Sequence, residues 1–116
     1  MDNILKQSLL YDFYGELLTN HQKEVYEQFV LEDLSLSEIA QSAGISRQGV
    51  HDLVRRCEKT LEGYEEKLHL VEKFLNIKEQ VRQIEEVLDA YELKTENPEN
   101  MAVRIREISN RIIEEL

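Results

Sequence analysis

The stretch that decides the fold is LSLSEIAQSAGISRQGVHDLVRRCEKTL, residues 34–61. Ser35, followed three residues later by Glu38, forms a capping-box pattern that predicts the start of a short helix. Gly44 follows that helix and suits the left-handed backbone conformation that often ends one. Ser46 then caps a second helix. The inward positions of the second helix are predicted to be Val50, Leu53, Val54, Cys57 and Leu61.

Two capped helices joined by a short turn with a glycine have the plan of a DNA-binding helix-turn-helix. In that plan the first turns of the second helix read base edges, and cations further along contact phosphates. The candidate DNA-binding residues are Ser46, Arg47, Gln48, Gly49, His51, Asp52, Arg55, Arg56 and Lys59. The alternative is a helical bundle that does not bind DNA, in which Arg55 and Arg56 form a solvated face paired with nearby carboxylates. The candidate carboxylates are Asp52, Glu58 and Glu62.

The segment EIAQSAGISRQGVHDLVRR, residues 38–56, resembles the promoter-reading helix-turn-helix of bacterial sigma factors. From LLYDFYGELLT (residues 9–19) to LEGYEEKL (residues 61–68), the chain is similar to the YlxM-like family. These are small bacterial helix-turn-helix proteins that resemble sigma-factor region four. The resemblance implies a cytoplasmic, all-helical regulatory protein connected with the signal recognition particle pathway.

The charge distribution bears directly on DNA binding. The chain has 14 Lys+Arg against 24 Asp+Glu, a net charge of −10, and an acidic protein is not the usual nucleic-acid binder. Residues 1–66 hold six basic and thirteen acidic side chains, but four of the six lie between Arg47 and Lys59, where Asp52 and Glu58 interrupt them. We therefore expect weak non-specific affinity for duplex DNA. The alternative function is a protein- or structured-RNA-interaction module that keeps the fold without specific DNA binding.

Helical spacing of apolar residues continues along nearly the whole chain, and four glycines and one proline leave little material for turns between strands. We predict an all-α fold: a helix-turn-helix domain over residues 1–63, of sigma region-four type and without the wing of the winged-helix superfamily. Residues 64–116 are predicted to form a long helix and an antiparallel C-terminal helix that starts at Asn97 and Pro98. In the first two helices, the expected inward residues are Ile4, Leu5, Leu9, Phe13, Leu17, Leu18, Val25, Phe29 and Val30.

The apolar stripes of residues 64–116 are more than two helices alone would bury. We expect a homodimer, most simply a two-fold one. Its predicted interface residues are Leu70, Phe74, Ile77, Val81, Ile84, Leu88, Ile105, Ile108 and Ile112. A dimer would have to hold its recognition helices about 34–36 Å apart to reach successive major grooves. The alternatives are packing of this part on the helix-turn-helix domain, and binding of another protein.

Several other classes of protein lack support in the sequence. The single cysteine, Cys57, cannot form an intrachain disulfide, and the N-terminus does not have the pattern of a signal peptide. The histidines have no partners at metal-ligand spacing, and there is no phosphate-binding glycine loop or nucleophile elbow. We therefore expect a cytoplasmic protein that is not an enzyme and holds no cofactor or metal.

Overall fold

The chain is all-α in a computed structural model that describes residues 3–116, which confirms the predicted fold class. Six helices lie in these residues: α1 (Asn3–Tyr14), α2 (Asn20–Val30), α3 (Leu36–Ala43), α4 (Arg47–Leu68), α5 (Leu70–Glu92) and α6 (Pro98–Glu115). A single 3-10 turn, Gly15–Leu17, follows α1. Met1 and Asp2, at the start of the expected domain 1–63, lie outside the described residues.

Two compact units make up the chain, Met1–Val71 and Glu72–Leu116. The first unit extends further along the sequence than residue 63 because α4 does not end near that position. It continues to Leu68, and the helical path breaks at His69, which has a left-handed φ of 56°. No glycine marks this break, so the local sequence pattern does not predict it.

The core of the first unit is built from all four of its complete helices and the residues that follow α1. Its buried side chains are Leu10, Tyr14, Leu18, Val25, Tyr26, Ile39, Ala40, Val50, Val54, Cys57, Leu61 and Val71. The predicted inward stripe of α4 is confirmed at Val50, Val54, Cys57 and Leu61, while Leu53 is half-buried.

The predicted inward stripe of α1 is wrong at Ile4, Leu5, Phe13 and Leu17, which are exposed. Leu10 and Tyr14 face inward instead, whereas the prediction for Leu18, which follows the 3-10 turn, is confirmed. In α2, likewise, Tyr26 is fully buried beside Val25, whereas Phe29 and Val30 are half-buried. The physical reason is the same in both helices: a tyrosine ring provides much of the buried apolar area, although its polar hydroxyl places it outside a purely apolar pattern.

Local capping signals start α2 and α3, and the start predicted at Ser35 is confirmed. Thr19 and Gln22 form a reciprocal capping box, in which each side chain accepts a hydrogen bond from the other residue's backbone N–H. Ser35 and Glu38 form a second one at the start of α3. Each box satisfies two backbone donors that a helix start otherwise leaves open.

The second unit is a helical hairpin. Asn76 Nδ2 donates to Glu115 Oε1 over 3.1 Å, and Arg111 donates to Gln83 Oε1 over 3.2 Å, so α5 and α6 run antiparallel. Val87 and Ile108 are its buried apolar residues. Ile108 is therefore buried within one chain and cannot contact a second copy, although we expected it at the dimer interface.

The second helix of the hairpin starts as expected, with Asn97 as its cap and Pro98 as its first residue. The Asn97 side chain accepts a hydrogen bond from the backbone N–H of Asn100 at 2.8 Å. Within residues 3–116, no helix combines the length and apolar character needed to cross a membrane.

Candidate nucleic-acid interface

The turn between α3 and α4 sets the angle at which α4 leaves the core. Gly44 has φ 72°, and its N–H donates to the Ala40 carbonyl over 3.0 Å. The N–H of Ile45 donates to the same carbonyl over 3.2 Å, which closes the end of α3. Because α3, α2 and α1 all pack on α4, three helices and a tight turn hold α4 in place.

Two of the candidate DNA-binding residues, Ser46 and Gly49, build the start of α4. The Ser46 hydroxyl oxygen accepts a hydrogen bond from the Gly49 N–H at 2.9 Å. A Cβ on Gly49 would lie 3.1 Å from that oxygen, so a larger residue would crowd the cap. These two residues position the helix, and the side chains that follow them are the ones that reach outward.

The outward surface of α4 carries the remaining candidates. Burial of Val50, Val54, Cys57 and Leu61 fixes the rotation of the helix, which turns the opposite side to solvent. The exposed candidates are Arg47, Gln48, His51, Asp52, Arg55, Arg56 and Lys59. We refer to its four cations, Arg47, Arg55, Arg56 and Lys59, as the cationic face.

No member of the cationic face makes an ion pair or side-chain hydrogen bond with any residue of the described part of the chain. The pairing with Asp52, Glu58 or Glu62 that we considered as the alternative is absent there. Cations elsewhere do pair: Lys23 Nζ lies 3.0 Å from Glu16, and Arg82 lies between Glu79 and Glu86. The four charges are thus exposed and free to approach an anion.

One carboxylate lies within this surface. Asp52 Oδ1 accepts a hydrogen bond from Gln48 Nε2 at 3.0 Å, an i,i+4 contact that the sequence spacing could have indicated. The same oxygen lies 3.6 Å from His51 Nδ1. Asp52 therefore holds the Gln48 amide in place, and it lines a shallow depression with His51, Arg55 and Arg56.

Glu58, which we expected to interrupt the same surface, is half-buried against α1. Its Oε1 accepts a hydrogen bond from Gln7 Nε2 at 2.8 Å. Burial raises the pKa of Glu58, and Glu62 raises it further, while Arg55 and His51 lower it. The sequence could not distinguish Asp52 from Glu58, because the difference arises from a contact with a residue in α1.

Comparison of the sequence with known proteins identifies a family that matches the chain. The sequence profile described as "Putative helix-turn-helix protein, YlxM / p13 like" matches residues 1–101. The chain belongs to this family. The matched residues contain α3, the Gly44 turn and all of α4, and they end in the first turn of α6. The resemblance inferred from residues 9–68 is thereby confirmed.

Relatives in the family, which is designated UPF0122, share the length of the chain. A UPF0122 protein of Thermoanaerobacter sp. strain X514 is 44% identical over 115 residues, which are 99% of this chain and 97% of the relative. One from Caldanaerobacter subterraneus subsp. tengcongensis is 48% identical over 87 residues, 75% of this chain and 74% of the relative. One from Acetivibrio thermocellus is 38% identical over 116 residues, 98% and 99% of the two chains.

Proposed function

We propose that this protein is a cytoplasmic, non-enzymatic regulator that binds duplex DNA through α4. The observation that supports the proposal is the cationic face: four exposed cations, without ion pairs in residues 3–116, on the second helix of a helix-turn-helix. Membership of a helix-turn-helix family supports it independently. The connection with the signal recognition particle pathway stays a prediction from the resemblance.

In this proposal the first two turns of α4 enter the major groove. Gln48 and His51 are placed to contact base edges, and Arg47 is placed to reach a guanine or a phosphate. Arg55, Arg56 and Lys59 contact phosphates further along the helix. The hydrogen bond with Asp52 keeps the Gln48 amide ordered before DNA binds. On binding, Gln48 would exchange it for a hydrogen bond with a base.

The size of the cationic face sets the expected strength of binding. Four phosphate contacts at most give a slope of log affinity against log salt of about −3 to −4 per copy. Two copies acting together would double that slope and would supply two half-site contacts. Since residues 1–66 carry seven more acidic than basic groups, non-specific affinity should be weak at physiological salt.

The test is a salt titration of binding to labelled random duplex DNA, followed by fluorescence anisotropy. The triple variant Arg47→Ala/Arg55→Ala/Arg56→Ala is compared with the original chain and with Lys6→Ala/Lys73→Ala/Arg106→Ala. The control variant removes the same amount of charge from outside α4. We expect the α4 variant to lose most of its affinity and salt dependence, and the control variant to keep both.

Either of two results would contradict DNA binding through α4. One is the absence of salt-dependent binding by the original chain at low ionic strength, and the other is an equal loss of DNA affinity in the two triple variants.

The net negative charge of residues 1–66 favours a second candidate function, binding of a partner protein. In that case the chain would not bind DNA. A partner protein would be recovered with the original chain from cells, and less of it would be recovered with the α4 variant.

A further inference from the structure

One acidic side chain remains on the surface that we propose to bind DNA. The Asp52 side chain is 57% exposed, and it lines the same shallow depression as Arg55 and Arg56. Among the described residues it forms no ion pair with either arginine, and its only hydrogen-bond donor is Gln48 Nε2, over 3.0 Å. A carboxylate offers about four acceptor positions, so most of those of Asp52 remain open to a ligand.

An exposed carboxylate at this position weakens non-specific binding to DNA. It repels the phosphates that the neighbouring cations attract, and it also repels acceptor atoms on the edges of the bases. In the major groove, guanine presents the acceptors N7 and O6, thymine presents O4, and adenine presents N7 beside its amino group. Cytosine presents the N4 amino donor and no acceptor. The base edge that best complements a carboxylate is therefore that of cytosine.

We infer that Asp52 is a specificity-determining residue of the proposed DNA site and accepts a hydrogen bond from the N4 amino group of a cytosine. The inference rests on the proposed function, because it assigns a base to the same surface of α4. When Gln48 turns to a base, Asp52 loses the only donor that the described residues provide. The cytosine amino group then takes the place of that donor. One hydrogen bond within the protein is thus exchanged for two with bases.

The spacing of the two side chains predicts where the cytosine lies. Gln48 and Asp52 are four residues apart, which is a rise of about 6 Å along α4. Successive nucleotides of one DNA strand are about 3.4 Å apart along the helix axis. The amide of Gln48 is suited to the N6 and N7 atoms of adenine. We therefore expect the cytosine to lie one or two base pairs from an adenine.

The other carboxylate near this surface provides a matched control. Glu58 is half-buried, and its Oε1 accepts a hydrogen bond from Gln7 of α1, so it should not reach a base. Asp52→Asn and Glu58→Gln each replace a carboxylate with an amide of nearly the same size and remove one negative charge. The amide in Asp52→Asn still provides an acceptor for Gln48. Because it also carries a donor, it no longer favours cytosine over the other bases.

The test is selection of bound duplexes from a random-sequence library at low salt, with the original full chain and the two variants. The original chain and Glu58→Gln should enrich cytosine at one position, whereas Asp52→Asn should lose that enrichment and keep the neighbouring adenine. Anisotropy titrations then compare the selected duplex with one in which a T·A pair replaces the C·G pair. We expect the original chain to bind the changed duplex about tenfold more weakly, and Asp52→Asn to bind the two duplexes about equally.

The outcomes separate this inference from the proposed function. If the original chain binds no duplex at low salt, both are wrong. If it binds duplexes without enriching cytosine, or if the two variants affect the cytosine equally, the inference alone is wrong. Loss of the adenine together with the cytosine in Asp52→Asn would show that Asp52 acts only by holding Gln48, and would overturn the direct contact with a base. Circular dichroism checks that both variants remain helical.

Discussion

The Tyr14 hydroxyl donates a hydrogen bond of 2.5 Å to Glu65 Oε1, which joins the end of α1 to the last turns of α4. The same two side chains also accept hydrogen bonds from the start of α5. The Leu70 N–H donates to the Tyr14 hydroxyl over 3.1 Å, and the Val71 N–H donates to Glu65 Oε1 over 2.9 Å. Residues far apart in sequence thus accept hydrogen bonds from the first two backbone N–H groups of α5. This explains how the helical path breaks at His69 without a glycine.

The first prediction concerns these hydrogen bonds. Tyr14→Phe removes the hydroxyl that accepts from the Leu70 N–H and donates to Glu65 Oε1. Because Tyr14 is only 1% exposed, we expect the free energy of unfolding to fall by about 1–3 kcal/mol. Urea denaturation followed by circular dichroism measures the loss. Tyr91→Phe is the control, since Tyr91 is 43% exposed, and an equal effect of the two substitutions would contradict the role of these hydrogen bonds.

The pH dependence of the same variant has a definite sign. Burial raises the pKa of Tyr14, the hydrogen bond to Glu65 raises it further, and the amides of Leu70 and Val71 lower it. The stability that neutral Tyr14 contributes is therefore present below the unfolded pKa of about 10 and is lost as the pH rises through the higher folded value. Above about pH 10, the original chain should lose stability more steeply than Tyr14→Phe.

Local signals explain why much of the first unit was predictable. Capping pairs at Thr19 and Ser35, the turn glycine and the cap at Ser46 each act within a few residues, so a single sequence shows them. The inward stripe of α4 was predictable for the same reason, since one helix face was strongly apolar. Tyr14 was not, because its burial depends on Glu65 and on the start of α5, which are distant in sequence.

A second prediction follows from the backbone at the turn. Gly44 has φ 72° with open space around its Cβ position, so the strain of an added side chain would come from the backbone alone. Gly44→Ala should lower the free energy of unfolding by about 1 kcal/mol. Lys94, which also has a left-handed φ of 60°, offers the reverse experiment. Lys94→Gly should leave stability unchanged or raise it, and a loss at Lys94 matching that at Gly44 would contradict the explanation.

The third prediction concerns the only cysteine. Cys57 is fully buried, and burial raises the pKa of its thiol to about 11. The reactive thiolate is therefore scarce at neutral pH and enclosed by the core. Reaction with Ellman's reagent at pH 8 should be slow in the folded protein and immediate in denaturant. The rate should follow unfolding, so Tyr14→Phe should accelerate it; fast reaction of the stable folded chain would contradict the burial.

The candidate site was predictable as a position on the chain but not as a set of charges. The spacing of Arg47, Arg55 and Arg56 placed them on the second helix, and the structure leaves them exposed. Whether a nearby carboxylate lies on the same surface as these arginines depends on α1. Glu58 accepts a hydrogen bond from Gln7 of α1, whereas Asp52 accepts one from Gln48 on the surface of α4. This difference depends on contacts between helices that are distant in sequence. The pattern of a single sequence does not show such contacts.

The last prediction separates these two carboxylates. Asp52→Asn keeps an acceptor for Gln48 but removes the negative charge from the surface of α4, so it should strengthen binding to random duplex DNA several-fold at low salt.

Glu58→Gln keeps the acceptor for Gln7, and its main effect should be on stability. Because the folded pKa of Glu58 is raised, the ionised form is disfavoured in the fold, and the substitution should raise the free energy of unfolding at pH 7. That gain should disappear as the pH falls below about 4.3, where the unfolded carboxyl also binds its proton. Anisotropy titrations and urea denaturation measure the two effects, and a larger gain in DNA affinity from Glu58→Gln than from Asp52→Asn would contradict the assignment of Asp52 to the DNA-facing surface.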